Sequence, residues 1–278
     1  MVNILVILLA SSFAGFLGAI TGLGGGSIMV PFLVATGVPV KHAIANSMIT
    51  IIATSSGSAS AYVRERLTNI KAAMYLEIFT VTGAIIGAYI ALFAPSRYLY
   101  FFFAVFLMSS FYGIRHEMGN EILENKVQDR FSKWLELEGS YFDESVGREI
   151  KYKMTNAVLG GLGMIIAGLA AGMLGIGAGA FKVAIHELVL KMPSKVSSST
   201  SNFIIGMTAL AGSSVFIASG FINLSLAAPM AIGTTLGSLA GTRILNKLSN
   251  RTVRLLFIVV LAYLIVQMIY KGVVSLAS

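Results

Sequence analysis

Gly22-Leu23-Gly24-Gly25-Gly26-Ser27 lies between two apolar segments, and the chain repeats it as Gly175-Ile176-Gly177-Ala178-Gly179-Ala180. Ala14-Gly15-Phe16 precedes the first copy and Ala167-Gly168-Leu169 the second, in the same register. A glycine-rich break inside an apolar stretch predicts a discontinuous membrane helix. Two copies of one helical bundle follow from this, each built around a broken or re-entrant helix.

The composition fits a bilayer. Of 278 residues, 56% are hydrophobic and 12% charged, with a mean hydropathy of +0.84. A soluble domain carries about 25% charged residues. The expected fold is therefore an all-α polytopic membrane protein with about eight to ten membrane segments. Nine of the twelve acids lie between Glu117 and Glu149. The formal net charge is +8, but the cations sit at segment ends. They read as orientation signals and lipid-headgroup contacts, not as a nucleic-acid surface.

There is no cysteine, which excludes disulfides, thiol catalysis and cysteine-based metal sites. Three scattered histidines and few intramembrane acids give no nucleophile–base pair and no metal cluster, so no enzyme, metal or cofactor is expected. The expected partners are a small anionic substrate and membrane lipids, with no oligomeric state indicated. Met1 to Ala19 is apolar without a basic leader, so it reads as a membrane segment, not a cleaved signal.

Along the chain, the first segment runs from Asn3 to Ile20. A short apolar run after Gly24 or Gly25 ends near Thr36, before Gly37-Val38-Pro39. At about a dozen residues it suits a half helix. Ala43 to Val63 is hydroxyl-rich, Ile70 to Phe93 crosses again, and Tyr98 to Ile114 is an aromatic span. Residues 1–114 form a first membrane repeat, 115–153 an amphipathic cytoplasmic linker, and 154–278 a second repeat. In the linker, Leu123, Val127, Phe131, Trp134 and Leu135 stand at helical spacing and predict one or two surface helices.

The second half keeps step with the first. Pro193, Lys195, Asn223, Gly237, Gly241 and Arg251 each stand 154 positions after Pro39, Lys41, Asn69, Gly83, Gly87 and Arg97. An offset held this long marks an internal duplication. The copies read as inverted, because a reversal at each glycine turn gathers Arg64, Arg66, Lys71, Lys191, Lys195, Lys247, Arg251 and Arg254 on one, cytoplasmic, side. Both termini then lie outside.

A glycine break frees backbone N–H groups at membrane depth, and the following helix N-terminus adds partial positive charge. Such a site favours an anion, and glycine lets the backbone approach it. The expected substrate-binding residues are Gly24, Gly25, Gly26 and Ser27 with Asn46 and Ser47 in the first copy. In the second they are Gly177, Ala178 and Gly179 with Lys182, Thr200 and Ser201. Close packing through small residues is the competing explanation of the glycines. Lys182 stands where the first copy has Met29; it reads either as a holder of the substrate's charge or as a snorkelling lysine paired with Glu187. Glu77, His186 and Glu187 are the proton-coupling candidates.

With the Gly22–Gly26 turn, Ser27 to Pro31, the Val38-Pro39 break, Ala43 to Ser47 and the second copy at Gly175–Gly179 and Thr200-Ser201, the chain resembles the sulfite exporter TauE/SafE family, also called TSUP transporters. The resemblance covers both halves but not residues 115–153. It implies a multi-pass secondary carrier in the plasma membrane for sulfite or organosulfonates, with the turns and hydroxyl pairs lining the path. Other small organic anions such as carboxylates, or an anion channel, are the alternatives. Two positions depart from the family pattern. Asn46 stands where Gly or Thr is usual, and Ala178 interrupts the second turn. The absence of cysteine sets the chain apart from thiosulfate-transporting relatives.

Overall fold

The computed structural model describes residues 4–95, 98, 99, 101, 102, 105, 108, 128–245 and 247–277. The first half gives α1 (Ile4–Thr21), α2 (Gly26–Ala35), α3 (Val40–Arg64) and α4 (Ile70–Phe93). Between the halves stand a one-turn helix α5 (Arg130–Trp134) and a hairpin of β1 (Glu138–Asp143) and β2 (Arg148–Lys153). The second half gives α6 (Ala157–Leu174), α7 (Gly179–Ala184) continued as a π-helical turn (Ile185–Val189), α8 (Ser194–Ala218), α9 (Leu224–Leu245) and α10 (Asn250–Ala277). Much of the expected fifth segment, 98–114, and the first part of the linker lie outside the described residues.

Among the described residues five helices, α1, α4, α6, α8 and α9, are long and apolar enough to cross a membrane. Their outward faces carry Phe13, Ile78, Phe93, Leu162 and Leu236, all exposed. In water such belts would drive association; in a bilayer they meet lipid, and the chain is an all-α multi-pass membrane protein. The polar residues are inside instead. Asn46, Ser47, Thr50, Thr54 and Ser58 of α3 are fully buried, as are Ser197, Ser199, Thr200, Ser201 and Asn202 of α8. Their hydroxyls bond the preceding turn of their own helix or a facing backbone, as hydrocarbon requires. This is why α3 is too hydroxyl-rich to count as an apolar span. It is an inner helix shielded by the others.

Glycines set the packing. A Cβ on Gly83 would lie 2.3 Å from the Ile165 carbonyl oxygen, and one on Gly87 2.1 Å from that of Leu169. In the other half, Gly237 and Gly241 meet the Ser12 and Phe16 carbonyls in the same way, at 1.8 and 2.6 Å. So α4 packs on α6 as α9 packs on α1, with backbones in contact through small residues. The inner helices α3 and α8 cross in opposite senses, Met48 facing Gly212 and Ser55 facing Gly206.

The first glycine turn reverses the chain. Ile4 and Ile7 of α1 share a cavity with Pro39 and His42 at the start of α3. At the other end, Tyr62 Oη of α3 donates to the Ala19 carbonyl of α1 at 2.9 Å. The two helices therefore run in the same direction, and α2 carries the chain back between them.

Residues 128–153 differ from the helical expectation. Phe131 and Trp134 do lie in a helix, α5, but it lasts one turn. Beyond it the strands pair antiparallel from Glu138–Lys153 to Asp143–Arg148. Two features favour the hairpin over a helix. Along β1 the side chains alternate, with Tyr141 and Asp143 buried and Ser140 and Phe142 out. The Asp143 side chain also accepts from Ser145 N–H at 2.9 Å, and Gly147 adopts φ 67°, which together close the turn.

Asp129 fastens the foot of this element. It caps α5 through Ser132 N–H at 3.0 Å and accepts from Asn156 N–H at 2.6 Å at the entrance to α6. Desolvation works against its charge, but the hydrogen bonds from Ser132, Asn156 and Thr155 outweigh it. They lower the carboxyl from its ordinary 3.8 to about 2. A depressed carboxyl stabilises the fold above its unfolded pKa and loses that contribution as pH falls through the folded value. Hydrogen exchange at the Ser132 and Asn156 amides, corrected for intrinsic rate, should be flat from about pH 5 upward and lose protection only towards about pH 2.

Candidate substrate site at the paired glycine turns

The two glycine turns meet in the middle of the bundle. Gly22 and Gly24 adopt φ 73°, Gly175 and Gly177 φ 63° and 66°. L-residues rarely take this left-handed region, and here it turns the chain within the bundle. A Cβ on Gly179 would sit 2.2 Å from the Gly22 carbonyl oxygen and 2.5 Å from Leu23 Cα. One on Gly26 would lie 3.0 Å from the Gly175 carbonyl oxygen. Ile51 of α3 and Ile205 of α8 pack against both turns, near Gly24 and Gly177.

Each turn is held by the opposite half. Ser47 Oγ donates to the Gly175 carbonyl at 2.7 Å, and Ser201 Oγ to the Gly22 carbonyl at 2.8 Å. Asn202 Nδ2 adds a bond to the Ala19 carbonyl at 2.7 Å. Ser27 Oγ bonds back to the Gly24 carbonyl within its own turn at 3.0 Å. Asn46 and Thr200 are placed differently. Asn46 Oδ1 accepts from Asn223 N–H at 2.9 Å, and Thr200 Oγ1 from Asn69 N–H at 3.1 Å. Each fastens the loop that joins two helices of the other half. Gly24 to Ser27, Ser47, Gly177 to Gly179 and Ser201 come together.

Lys182 is fully buried on α7. Its Nζ donates to Thr208 Oγ1 of α8 at 2.8 Å, and among the described residues this is its hydrogen-bond partner, not Glu187. Thr208 already donates to the Ile204 carbonyl at 3.0 Å, so its oxygen is free to accept. An ammonium has three N–H donors, which leaves two that Thr208 does not use. His186 is fully buried in the π-helical turn, with Nδ1 3.3 Å from the Ser197 carbonyl. Its Nε2 and Glu77 Oε1 are both buried without a hydrogen-bond partner. Glu187 lies almost fully buried beside His186.

Sequence reading passes over Thr208. A signal for it exists, because Thr54 stands 154 positions earlier, and its Oγ1 lies 2.9 Å from where a Gly25 Cβ would be. The departure at Ala178 has a cost. It adopts φ 48° as the residue before α7, where a side chain is disfavoured by about 1–2 kcal/mol. Ala178→Gly should therefore change stability by less than about 1 kcal/mol, relief being offset by the looser unfolded chain. Ala178→Val should cost about 2 kcal/mol or more, since branching worsens both the strain and the fit. Thermal unfolding of detergent-purified protein separates the two.

Residues 7–268 match the model of the family described as sulfite exporter TauE/SafE. A probable membrane transporter protein, YunE of Bacillus subtilis, is 26% identical over 98% of this chain and 100% of its own length. A second, YdhB of the same organism, is 26% identical over 88% of the chain and 90% of its own. A third, MJ0441 of Methanocaldococcus jannaschii, is 23% identical over 90% of each. No solved structure matches. A match spanning nearly every helix, both glycine turns included, leaves one assignment: this chain belongs to the sulfite exporter TauE/SafE family of membrane transporters.

Proposed function

We propose that the protein is a secondary carrier moving a small sulfur-containing anion, sulfite or an organosulfonate, across the plasma membrane by alternating access. The observation that carries this is Lys182, a fully buried ammonium beside the second glycine turn with two donors to spare. A buried cation costs several kcal/mol and is retained where a charge comes to meet it. On this reading the backbone of Gly177 to Gly179 and the Ser201 hydroxyl, which holds the Gly22 carbonyl, add neutral groups to the site. Those suit an oxyanion that must also leave.

Inverted pseudo-symmetry supports the transport cycle. Ser47 with Gly175 mirrors Ser201 with Gly22, and Asn46 with Asn223 mirrors Thr200 with Asn69. Two halves tied this way can exchange conformations about a fixed centre. The unpartnered Glu77 and His186 atoms support proton coupling, with Glu187 as the third candidate.

Counterflow in proteoliposomes tests the reading. Labelled sulfite should exchange saturably against internal sulfite and be displaced by sulfoacetate. Saturable exchange of acetate but not of sulfite would make the protein a carboxylate permease. Flux that neither saturates nor shows counterflow would make it an anion channel. An imposed pH gradient should drive accumulation, and Glu77→Gln should abolish that drive while leaving counterflow.

A further inference from the structure

The two ends of the bundle have equivalent parts and different coverings. At the end opposite the hairpin there is a cavity of about 950 Å³, lined by Thr36, Pro39, His42, Asn223 and Leu226. The residues 154 positions from Pro39 and Asn223 are Pro193 and Asn69, at the hairpin end. There the hairpin fills part of the space and leaves a smaller cavity of about 550 Å³, lined by Thr68, Asn69, Lys71, Glu138 and Tyr152. Asn69 Nδ2 donates to the Glu138 carbonyl at 3.1 Å and to Tyr152 Oη at 3.2 Å, both from the hairpin. Gly139 lies against the same amide.

The paired lysines differ in the same way. Lys41 Nζ donates to the Leu92 carbonyl at 2.6 Å, within its own half, and is only half-buried. Lys195, its equivalent, is fully buried because the hairpin covers it. Its Nζ lies 2.7 Å from Asp143 Oδ1 and 3.4 Å from Ser145 Oγ. Asp143 is fully buried too.

We propose that the hairpin 138–153 is a removable plug over the linker-side entrance, latched to α8 by the Lys195–Asp143 ion pair, and that its release opens a vestibule equivalent to the cavity at the other end. The inference rests on the alternating-access reading, since a carrier must open at both ends. Three further features fit a part that comes off. A buried ion pair adds little net stability, yet it strongly discriminates a docked from a misdocked arrangement. Burial, and after it the like charge of Glu144 in the hairpin turn, raise the Glu65 carboxyl at the end of α3 against the pull of Arg64, so seating the hairpin brings two carboxylates towards each other. Beneath the hairpin, Thr68 Oγ1 is buried with no hydrogen-bond partner, and water would satisfy it once the hairpin lifts. The latch also reaches the site. Lys195 and Ser201 lie on α8 less than two turns apart, and Ser201 holds the first glycine turn.

The absence of native cysteine makes each introduced thiol unique. Thr68→Cys is reacted with a charged maleimide in lipid nanodiscs, alone and combined with Asp143→Asn. Loss of the latch should speed labelling at least about tenfold. If Asp143→Asn does not stay monodisperse, Ser145→Ala removes the weaker latch contact and should speed labelling about twofold to threefold. Separately, Lys71→Cys/Glu136→Cys, positions joined by an ion pair between body and hairpin foot, is bridged with a reducible thiol cross-linker. Bridging should stop sulfite counterflow and reduction should restore it. Equal labelling rates in folded variants, or undiminished counterflow with the bridge closed, would overturn the plug. If the unbridged protein shows no sulfite counterflow, the substrate reading fails and the labelling rates alone decide the plug.

Discussion

Gly179→Ala should reduce anion exchange about a hundredfold. The added methyl would sit 2.2 Å from the Gly22 carbonyl oxygen and 2.5 Å from Leu23 Cα, both backbone atoms of the opposing turn. No side chain can swing aside to make room. The two turns must separate, and forced overpacking of this kind costs about 3 kcal/mol. At about 1.4 kcal/mol per tenfold, that is roughly two decades of flux if the turns form the site. Gly220→Ala is the matching control. Gly220 also has a positive φ, 73°, but nothing lies within 4 Å of its added Cβ. It should lose about 1–2 kcal/mol of stability from strain and no exchange.

Lys182→Ala should have an effect of similar size for a different reason. The packing change opens space on α7; what disappears is the charge that meets the anion. Truncating one partner of a desolvated charge pair costs about 2–5 kcal/mol. Counterflow should therefore fall about a hundredfold at fixed substrate concentration. Thr208→Val keeps the charge but takes away its hydrogen-bond partner at 2.8 Å. About tenfold is expected there, because the ammonium then settles elsewhere between turnovers. If Lys182 were only a packing residue, Lys182→Met should retain full flux; loss in both variants assigns the effect to charge.

The glycine turns are legible in the sequence because they are local. Glycine at Gly22, Gly24, Gly175 and Gly177 announces positive φ. The segment Ile70 to Phe93 coincides with α4, since its apolar run is bounded by the Asn69 cap and the Pro95 turn. Three things are hidden, each for a physical reason. The bond from Asn223 N–H to Asn46 spans 177 positions, and no spacing rule reaches that far. Lys182 has no carboxylate at i±4, and its partner Thr208 becomes a neighbour only when α7 folds against α8. The hairpin is written in a short alternation within a charged stretch, and the apolar positions Phe131 and Trp134 just before it imitate a longer amphipathic helix.

The most direct test of the central claim is equilibrium binding of labelled sulfite to purified protein in detergent, wild type beside Lys182→Ala. Binding needs neither a gradient nor a working gate, so it addresses the site alone. Saturable binding by the wild type that weakens at least about tenfold in the variant is the expected result. Equal affinity in the two proteins, both folded, would contradict an anion site at the second glycine turn.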